Sequence, residues 1–269
     1  MQYDPVKRRL GVVFNSTPWL RIFFYRLLDL LLLRAWHIQR ELRKWAWDKR
    51  DRSLAIYDAG AGFGQNTYWL SSLSEKWSIT AIDVKEEQVA DCNAFFQQIG
   101  RPQVQFQVGD VTKFQQPDTF ELVVCVDVME HILEDEAALR CYSTSLKPGG
   151  MLIISTPSDQ GGSDVHEEGE GSFIEEHVRD GYNIDDIRAK CLRNGFSRVE
   201  ARYSYGTPGK ISWKLSMKWP LLMLNRSRAF FAVLPLYYLV AYPLAYGLNM
   251  ADVRMKHRTG TGLVVKAWR

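Results

Sequence analysis

The chain has no Cys-x-x-Cys pair, no internal repeat and no low-complexity tract. Its four cysteines (Cys92, Cys125, Cys141 and Cys191) lie far apart, which excludes a zinc ribbon and argues against a disulfide scaffold. A reducing, cytoplasmic compartment is the simplest expectation. Lys7, Arg8 and Arg9 are not followed by an apolar stretch with a small-residue cleavage site, so no signal peptide is expected. Acidic residues are almost missing from the C-terminal part. Residues 201–269 carry 11 basic and 1 acidic side chain, residues 1–52 carry 12 and 5, and residues 53–200 carry 11 and 25. Basic ends around an acidic middle imply two environments on one molecule and an anionic partner for the ends, either nucleic acid or a membrane surface. With 46% apolar and 24% charged residues, the 269-residue chain is not a disordered one, and it is long enough for one large domain with an elaboration.

Three regions separate. Residues 1–52 form a helical cap: Trp19, Leu20, Ile22, Phe23, Phe24, Leu27, Leu28 and Leu30 to Leu33 follow helical periodicity. Arg21, Arg26, Asp29 and Arg34 interrupt them, so this is not a spanning helix. It either packs on the core or lies in a lipid interface. Residues 53–205 alternate short apolar runs with helical patterns. Strands are expected at 54–58, 78–83, 104–108, 121–126, 151–156 and 198–205, and helices at 66–74, 86–99, 135–146 and 183–194. Such alternation predicts an α/β fold, a doubly wound parallel sheet. Residues 206–259 break the pattern as a hydrophobic insertion, and residues 260–269 return as a final strand, making seven strands.

The first strand runs into Asp58-Ala59-Gly60-Ala61-Gly62-Phe63-Gly64, and a helix follows. Glycines there let the backbone turn tightly and approach a ligand. The pattern alone also fits a dehydrogenase-like nucleotide domain. The second strand ends in Asp83-Val84, where an acid can accept both ribose hydroxyls of an adenosine. The third is followed by Gly109-Asp110-Val111, where a carboxylate can accept an adenine amine and Val111 can pack on the ring. The fourth opens into Asp127-Val128-Met129-Glu130-His131, and Leu146-Lys147-Pro148-Gly149-Gly150 feeds the fifth.

These five ordered elements, over about residues 53–157, resemble the class I S-adenosylmethionine-dependent methyltransferases of the type 11 and 12 kind. There is a weaker similarity to the ubiquinone-type O-methyltransferases. The resemblance implies a seven-stranded Rossmann-like sheet and S-adenosyl-L-methionine as cofactor, with S-adenosyl-L-homocysteine as product. It places Asp58, Gly60, Ala61, Gly62 and Gly64 under the methionine part of the cofactor, Asp83 and Val84 at the ribose, Asp110 and Val111 at the adenine, and Asp127 at the same site. In the ubiquinone-type enzymes two acids and a histidine of the fourth-strand segment bind a divalent ion. Asp127 stands where those enzymes have a glutamate, and no metal is assigned here. His131 and His177 are the candidate catalytic histidines. His166, in the Gly- and Glu-rich stretch 161–171 that could close over ligands, ranks below them.

Residues 229–251 are 23 consecutive positions without a formal charge. As one helix they would span about 35 Å, enough for a bilayer core. Pro235 and Pro243 lie inside and are expected to kink or break that helix. If the sixth strand is parallel and the seventh antiparallel beside it, the insertion must return to the side it left. A hairpin dipping into one leaflet satisfies this, and so does a soluble lid or a dimer contact. Lys210, Lys214, Lys218, Arg226 and Arg228 precede the run, and Arg254, Lys256 and Arg258 follow it, which suits anionic lipid. No nucleic-acid partner is expected, because the apolar run is too long for a base-stacking surface. The expected protein is a peripheral, membrane-associated methyltransferase whose acceptor is a lipophilic or lipid-linked small molecule.

Overall fold

The computed structural model describes residues 17–161, 178–227 and 229–269. The central sheet has seven strands: β1 (Leu54–Ala59), β2 (Trp77–Asp83), β3 (Val104–Val108), β4 (Phe120–Val126), β5 (Leu146–Pro157), β6 (Arg198–Ser204) and β7 (Gly262–Trp268). Their order is β3-β2-β1-β4-β5-β7-β6, with β7 antiparallel to both neighbours. The inner strands are apolar at nearly every position because helices cover both faces. Ile56, Ile79, Leu122 and Val124 face one core layer, and Tyr57, Ile82, Val123 and Cys125 face the other.

The flanking helices are α1 (Pro18–Leu31), α2 (Leu33–Trp45), α3 (Gln65–Ser71), α4 (Glu86–Gln98), α5 (Asp135–Ser145) and α6 (Ile184–Arg193). The Asn183 side chain accepts the N–H groups of Asp185 and Asp186 at 3.0 and 3.4 Å, as its place before an acidic first turn predicts. Strand β5 starts earlier than expected because Leu146 already pairs with β4, and Gly149 and Gly150 bond the Arg269 backbone. Phe120 pairs with Leu146, and the register shifts before Leu122 meets Met151.

The cap differs from expectation: it is two helices, interrupted at the extended Leu32 (φ −89°, ψ 107°). The groups freed by the break find partners elsewhere. The Leu30 carbonyl accepts the Trp36 indole at 3.1 Å, and the Arg34 N–H donates to the Tyr205 hydroxyl at 3.0 Å.

The insertion between β6 and β7 is a helical hairpin. Its first arm runs from α7 (Thr207–Trp213) through a π-helical turn (Lys214–Lys218) into α8 (Trp219–Arg226), and its second arm is α9 (Phe230–Arg254). The Ser212 hydroxyl donates to the Ala245 carbonyl at 3.0 Å, and Tyr237 and Tyr238 donate to the carbonyls of Leu215 and Ser216 at 2.6 and 2.7 Å, so the arms are antiparallel. Pro220 explains those tyrosine bonds. In the π turn the Trp219 N–H reaches Lys214, five residues back, and the next donor is missing because Pro220 has no N–H. The two hydroxyls supply the carbonyls it leaves. Helix α9 runs through Pro235 and Pro243 without ending, so of the kink or break expected there the break does not occur. Each proline removes one N–H, and the tyrosines bonded to the opposite arm hold the stretch between them.

Candidate active site

In a sheet of this type the crevice outside the carboxyl ends of the strands, where strand order reverses, is the ligand site. Here the reversal falls between β1 and β4. The glycine turn occupies it. Gly60, Gly62 and Gly64 all have positive φ (69°, 53° and 87°). The N–H groups of Gly60 and Ala61 both donate to the Ile82 carbonyl, at 2.8 and 3.0 Å, which folds the turn onto β2. A Cβ on Gly60 would lie 2.4 Å from a Val128 methyl, whereas one on Gly62 would meet nothing within 4 Å. Gly60 is therefore packed under the β4 exit, and Gly62 faces open space. Gly60→Ala is expected to lose roughly 2–5 kcal/mol, from the left-handed backbone and overpacking together. Gly62→Ala should lose only the backbone part, about 1–2 kcal/mol. Equal losses in denaturant unfolding would contradict this division.

Carboxylates surround the turn. Asp58 is buried beneath it and accepts the Thr67 hydroxyl at 2.5 Å. Burial pushes its carboxyl up to about 7, against the Thr67 hydrogen bond, and Asp83 adds to the rise. Asp83 accepts the Gly62 N–H at 2.8 Å and the Lys85 N–H at 3.0 Å, so it ties the end of β2 to the turn. Each oxygen keeps a lone pair for a ligand hydroxyl. Asp110 accepts the Thr112 N–H and hydroxyl at 2.9 and 2.7 Å, and these bonds hold its carboxyl below the usual range. That turn packs Val111 beside Ile82 and Tyr57, largely buried. Val84 instead is exposed beside Asp83.

At the exit of β4, Asp127 adopts a left-handed backbone (φ 53°), and its N–H donates to the Ser155 carbonyl at 2.9 Å. Its carboxylate is ion-paired with Arg34 of the cap. The following 3₁₀ turn, Met129–His131, points Glu130 inward and leaves His131 exposed. Glu130 is 2% exposed and accepts the Thr156 hydroxyl at 3.1 Å. Burial, with the charge of Asp127, pushes its carboxyl up to about 8; Arg34 acts in the opposite direction. The buried carboxyl at the β4 exit is thus Glu130, which from sequence entered only as a metal ligand. Its signal was its place next to a residue at a strand exit. Among the described residues no three His, Cys, Asp or Glu side chains converge as a metal site. His177, His166 and most of the 161–171 loop lie outside the described residues.

Residues 56–150 match a family described as a methyltransferase domain. The chain is 32% identical over 107 residues to the mitochondrial ubiquinone biosynthesis O-methyltransferase of Homo sapiens, covering 38% of this chain and 28% of that protein. It is 32% identical over 103 residues to the ubiquinone biosynthesis O-methyltransferase of Xanthomonas euvesicatoria pv. vesicatoria, covering 38% and 42%. The chain thus spans less than half the length of these curated relatives. Phosphoethanolamine N-methyltransferase 2 of Haemonchus contortus, solved with S-adenosyl-L-methionine, superposes with a TM-score of 0.60 at 17% identity, covering 91% of this chain and 60% of that one. At that identity the likeness is one of fold.

Proposed function

We propose, for a chain whose residues 56–150 are a class I S-adenosylmethionine-dependent methyltransferase domain, that the whole protein methylates a lipophilic or lipid-linked small molecule at a membrane surface. The observation that carries the cofactor reading is the crevice itself: an open, left-handed Gly62 flanked by Asp83 and Asp110 at the ends of adjacent strands. These residues fit S-adenosylmethionine. Asp83 would take the ribose hydroxyls, Asp110 the adenine amine and Val84 one face of the ring, while Asp58 and Thr67 support the turn from below. When bound, the cofactor supplies an electrophilic methyl on a sulfonium. The protein's task is to align acceptor and methyl and to exclude water.

Glu130 would accept the acceptor's proton if that acceptor is a hydroxyl. Methyl transfer should then rise with pH through about 8, and Glu130→Gln should lower the rate by about 10²–10⁴-fold and remove the rise. The sign for stability is the reverse. A carboxyl with a raised folded pKa stabilises fully below the unfolded value of 4.5, and that contribution is lost as pH passes through about 8. A flat pH–rate profile in the native protein would remove Glu130 from this role.

The membrane reading rests on the hairpin. Helix α9 is long and apolar enough to cross a bilayer, with 11% of its most apolar stretch buried. Yet Ser204 pairs with Gly262 at the hairpin's base, so the insertion returns to the edge it left. The first arm carries Lys210, Lys214 and Lys218, and Arg226 sits near the tip. Charges along one arm and at the tip favour a hairpin lying in the headgroup plane, its apolar faces sunk about 5–10 Å. The exposed apolar stripe of α1 (Trp19, Phe23 and Leu30) adjoins it, because Tyr242 of α9 donates to the Leu30 carbonyl. Four free, buried cysteines favour docking from a reducing, cytoplasmic side.

The test is incubation with methyl-labelled cofactor and a membrane extract, then partition between organic and aqueous phases. Protein-dependent label in the organic phase is expected. Label confined to the aqueous phase would overturn the lipophilic acceptor, and label in neither would overturn methyl transfer to these acceptors.

A further inference from the structure

Helix α1 has two opposite stripes. At about 100° per residue, Trp19, Phe23 and Leu30 fall within about 40° of one another and are exposed. Arg21, Tyr25 and Asp29, spaced four apart, fall on the other side, and Arg21 and Tyr25 are among the most buried residues of the molecule. This second stripe contacts the glycine turn. The Arg21 guanidinium donates to the Phe63 carbonyl at 2.9 Å, to the Cys92 sulfur at 3.0 Å, to the Tyr25 hydroxyl at 2.6 Å and to Asp91 at 2.6 Å. It also lies 4.5 Å above the Phe95 ring. The Tyr25 hydroxyl donates to the same Phe63 carbonyl, and its ring packs on Phe63 at 5.6 Å between centroids. Asp29 accepts the Gln65 amide at 2.7 Å, at the first residue of α3.

Phe63 is the residue between Gly62 and Gly64, both of which have left-handed backbones. Its carbonyl thus accepts two buried donors from α1, outside the nucleotide domain. A buried arginine satisfied by several fixed acceptors defines a geometry closely, because each missing partner leaves an uncompensated donor. A glycine-rich turn has little stiffness of its own. We propose that Arg21 and Tyr25 are positioning residues for the cofactor: by fixing the Phe63 carbonyl they set the Gly62–Gly64 backbone in its ligand-competent shape. The helical cap is then part of the cofactor site without touching the cofactor. This rests on the reading of the crevice as an S-adenosylmethionine site.

The test is calorimetric titration of the full chain with S-adenosylhomocysteine, well below each variant's melting temperature, with Asp83→Asn as reference. Arg21→Met should bind at least tenfold more weakly, Tyr25→Phe about three- to tenfold more weakly, and Arg21→Lys should recover part of the loss. In turnover the cofactor KM should rise while kcat at saturating cofactor stays within twofold. Tyr25→Phe removes one hydroxyl and keeps the ring, so it serves if Arg21→Met fails to fold. Its ligand-free form should also show faster amide hydrogen exchange at Gly62 and Gly64. Unchanged affinity in Tyr25→Phe and Arg21→Lys beside a weakened Asp83→Asn would overturn the positioning role alone. No binding by the unaltered protein would overturn the cofactor reading and this inference with it.

Discussion

Replacing Leu236, Leu239 and Val240 together by aspartate is expected to abolish flotation of the protein with anionic vesicles. These three side chains are 70, 73 and 77% exposed, so they contribute little to the folded core. Sinking each into lipid contributes about 1.5–3 kcal/mol, and an aspartate in its place opposes insertion by up to about 2.5–3.5 kcal/mol. The combined loss exceeds a hundredfold in partition even if the interface recovers only part of these values. The melting temperature should change little, because exposed positions tolerate such substitutions. Lys210, Lys214 and Lys218 should add an attraction that fades with salt, unlike the apolar term. If the native protein does not float but is a dimer that the triple variant dissociates, the hairpin is a contact between copies instead. If neither measurement responds, the apolar face has another role.

The second large effect is expected at Asp252, near the base of the hairpin. Its carboxylate is fully buried and accepts His37 Nε2 at 2.8 Å, the Tyr205 N–H at 3.2 Å and the Gly209 N–H at 2.9 Å. His257 Nε2 stands 3.3 Å away. Arg202 donates to His37 Nδ1 at 2.9 Å, which leaves Nε2 as the protonated nitrogen of a neutral ring. The His37–Asp252 contact is therefore a hydrogen bond to a carboxylate, not an ion pair of two full charges. Asp252→Ala would strand three buried donors. It is expected to lose about 3–5 kcal/mol, as for removal of one partner of a buried charged network. Asp252→Asn keeps one acceptor and should lose less. The effect should extend to the candidate site, because Tyr205 carries both the N–H bonded to Asp252 and the hydroxyl bonded to Arg34.

This cluster also sets an acid limit. Burial, aided by Arg202, holds the His37 imidazole below its usual 6.5. A depressed histidine stabilises fully above its unfolded value, and that stability is lost as pH falls through about 6.5 and below. Burial alone would raise Asp252, but the hydrogen bonds from His37 and the Gly209 N–H oppose it and its carboxyl lies below the usual range, so its contribution is likewise lost on the acid side. Glu130 and Asp58, both raised, act in the opposite direction over the same range, so the imidazole is read from a difference: between pH 5.5 and 7.5 His37→Gln should gain less stability, or lose more, than the native protein in denaturant unfolding. The same pH dependence in the native protein and in His37→Gln would contradict the neutral, buried imidazole.

Much of this was legible along the chain. Strand and helix periods are set by where apolar side chains fall within a few residues, so the β/α alternation could be read locally. The left-handed glycines could be read because only that residue type adopts the turn without strain. The positions of Asp83 and Asp110 in the fold could be read because the first ends a strand and the second lies two residues beyond one. A property that depends on direction over one residue was not legible. Glu130 and His131 are adjacent, and only the 3₁₀ turn decides which is buried.

The sequence by itself determined the layered fold, the ligand crevice and an apolar insertion with basic flanks, because these follow from local pattern and strand order. Tertiary structure alone decided the break at Leu32, the continuity of α9 through two prolines and the grip of Arg21 and Tyr25 on Phe63. Each depends on contacts distant in sequence: the Tyr205 hydroxyl for the Arg34 N–H, the opposite arm for the α9 tyrosines between the two prolines, and α1 for the glycine turn. A buried donor or acceptor must be paired, but nothing local says with what.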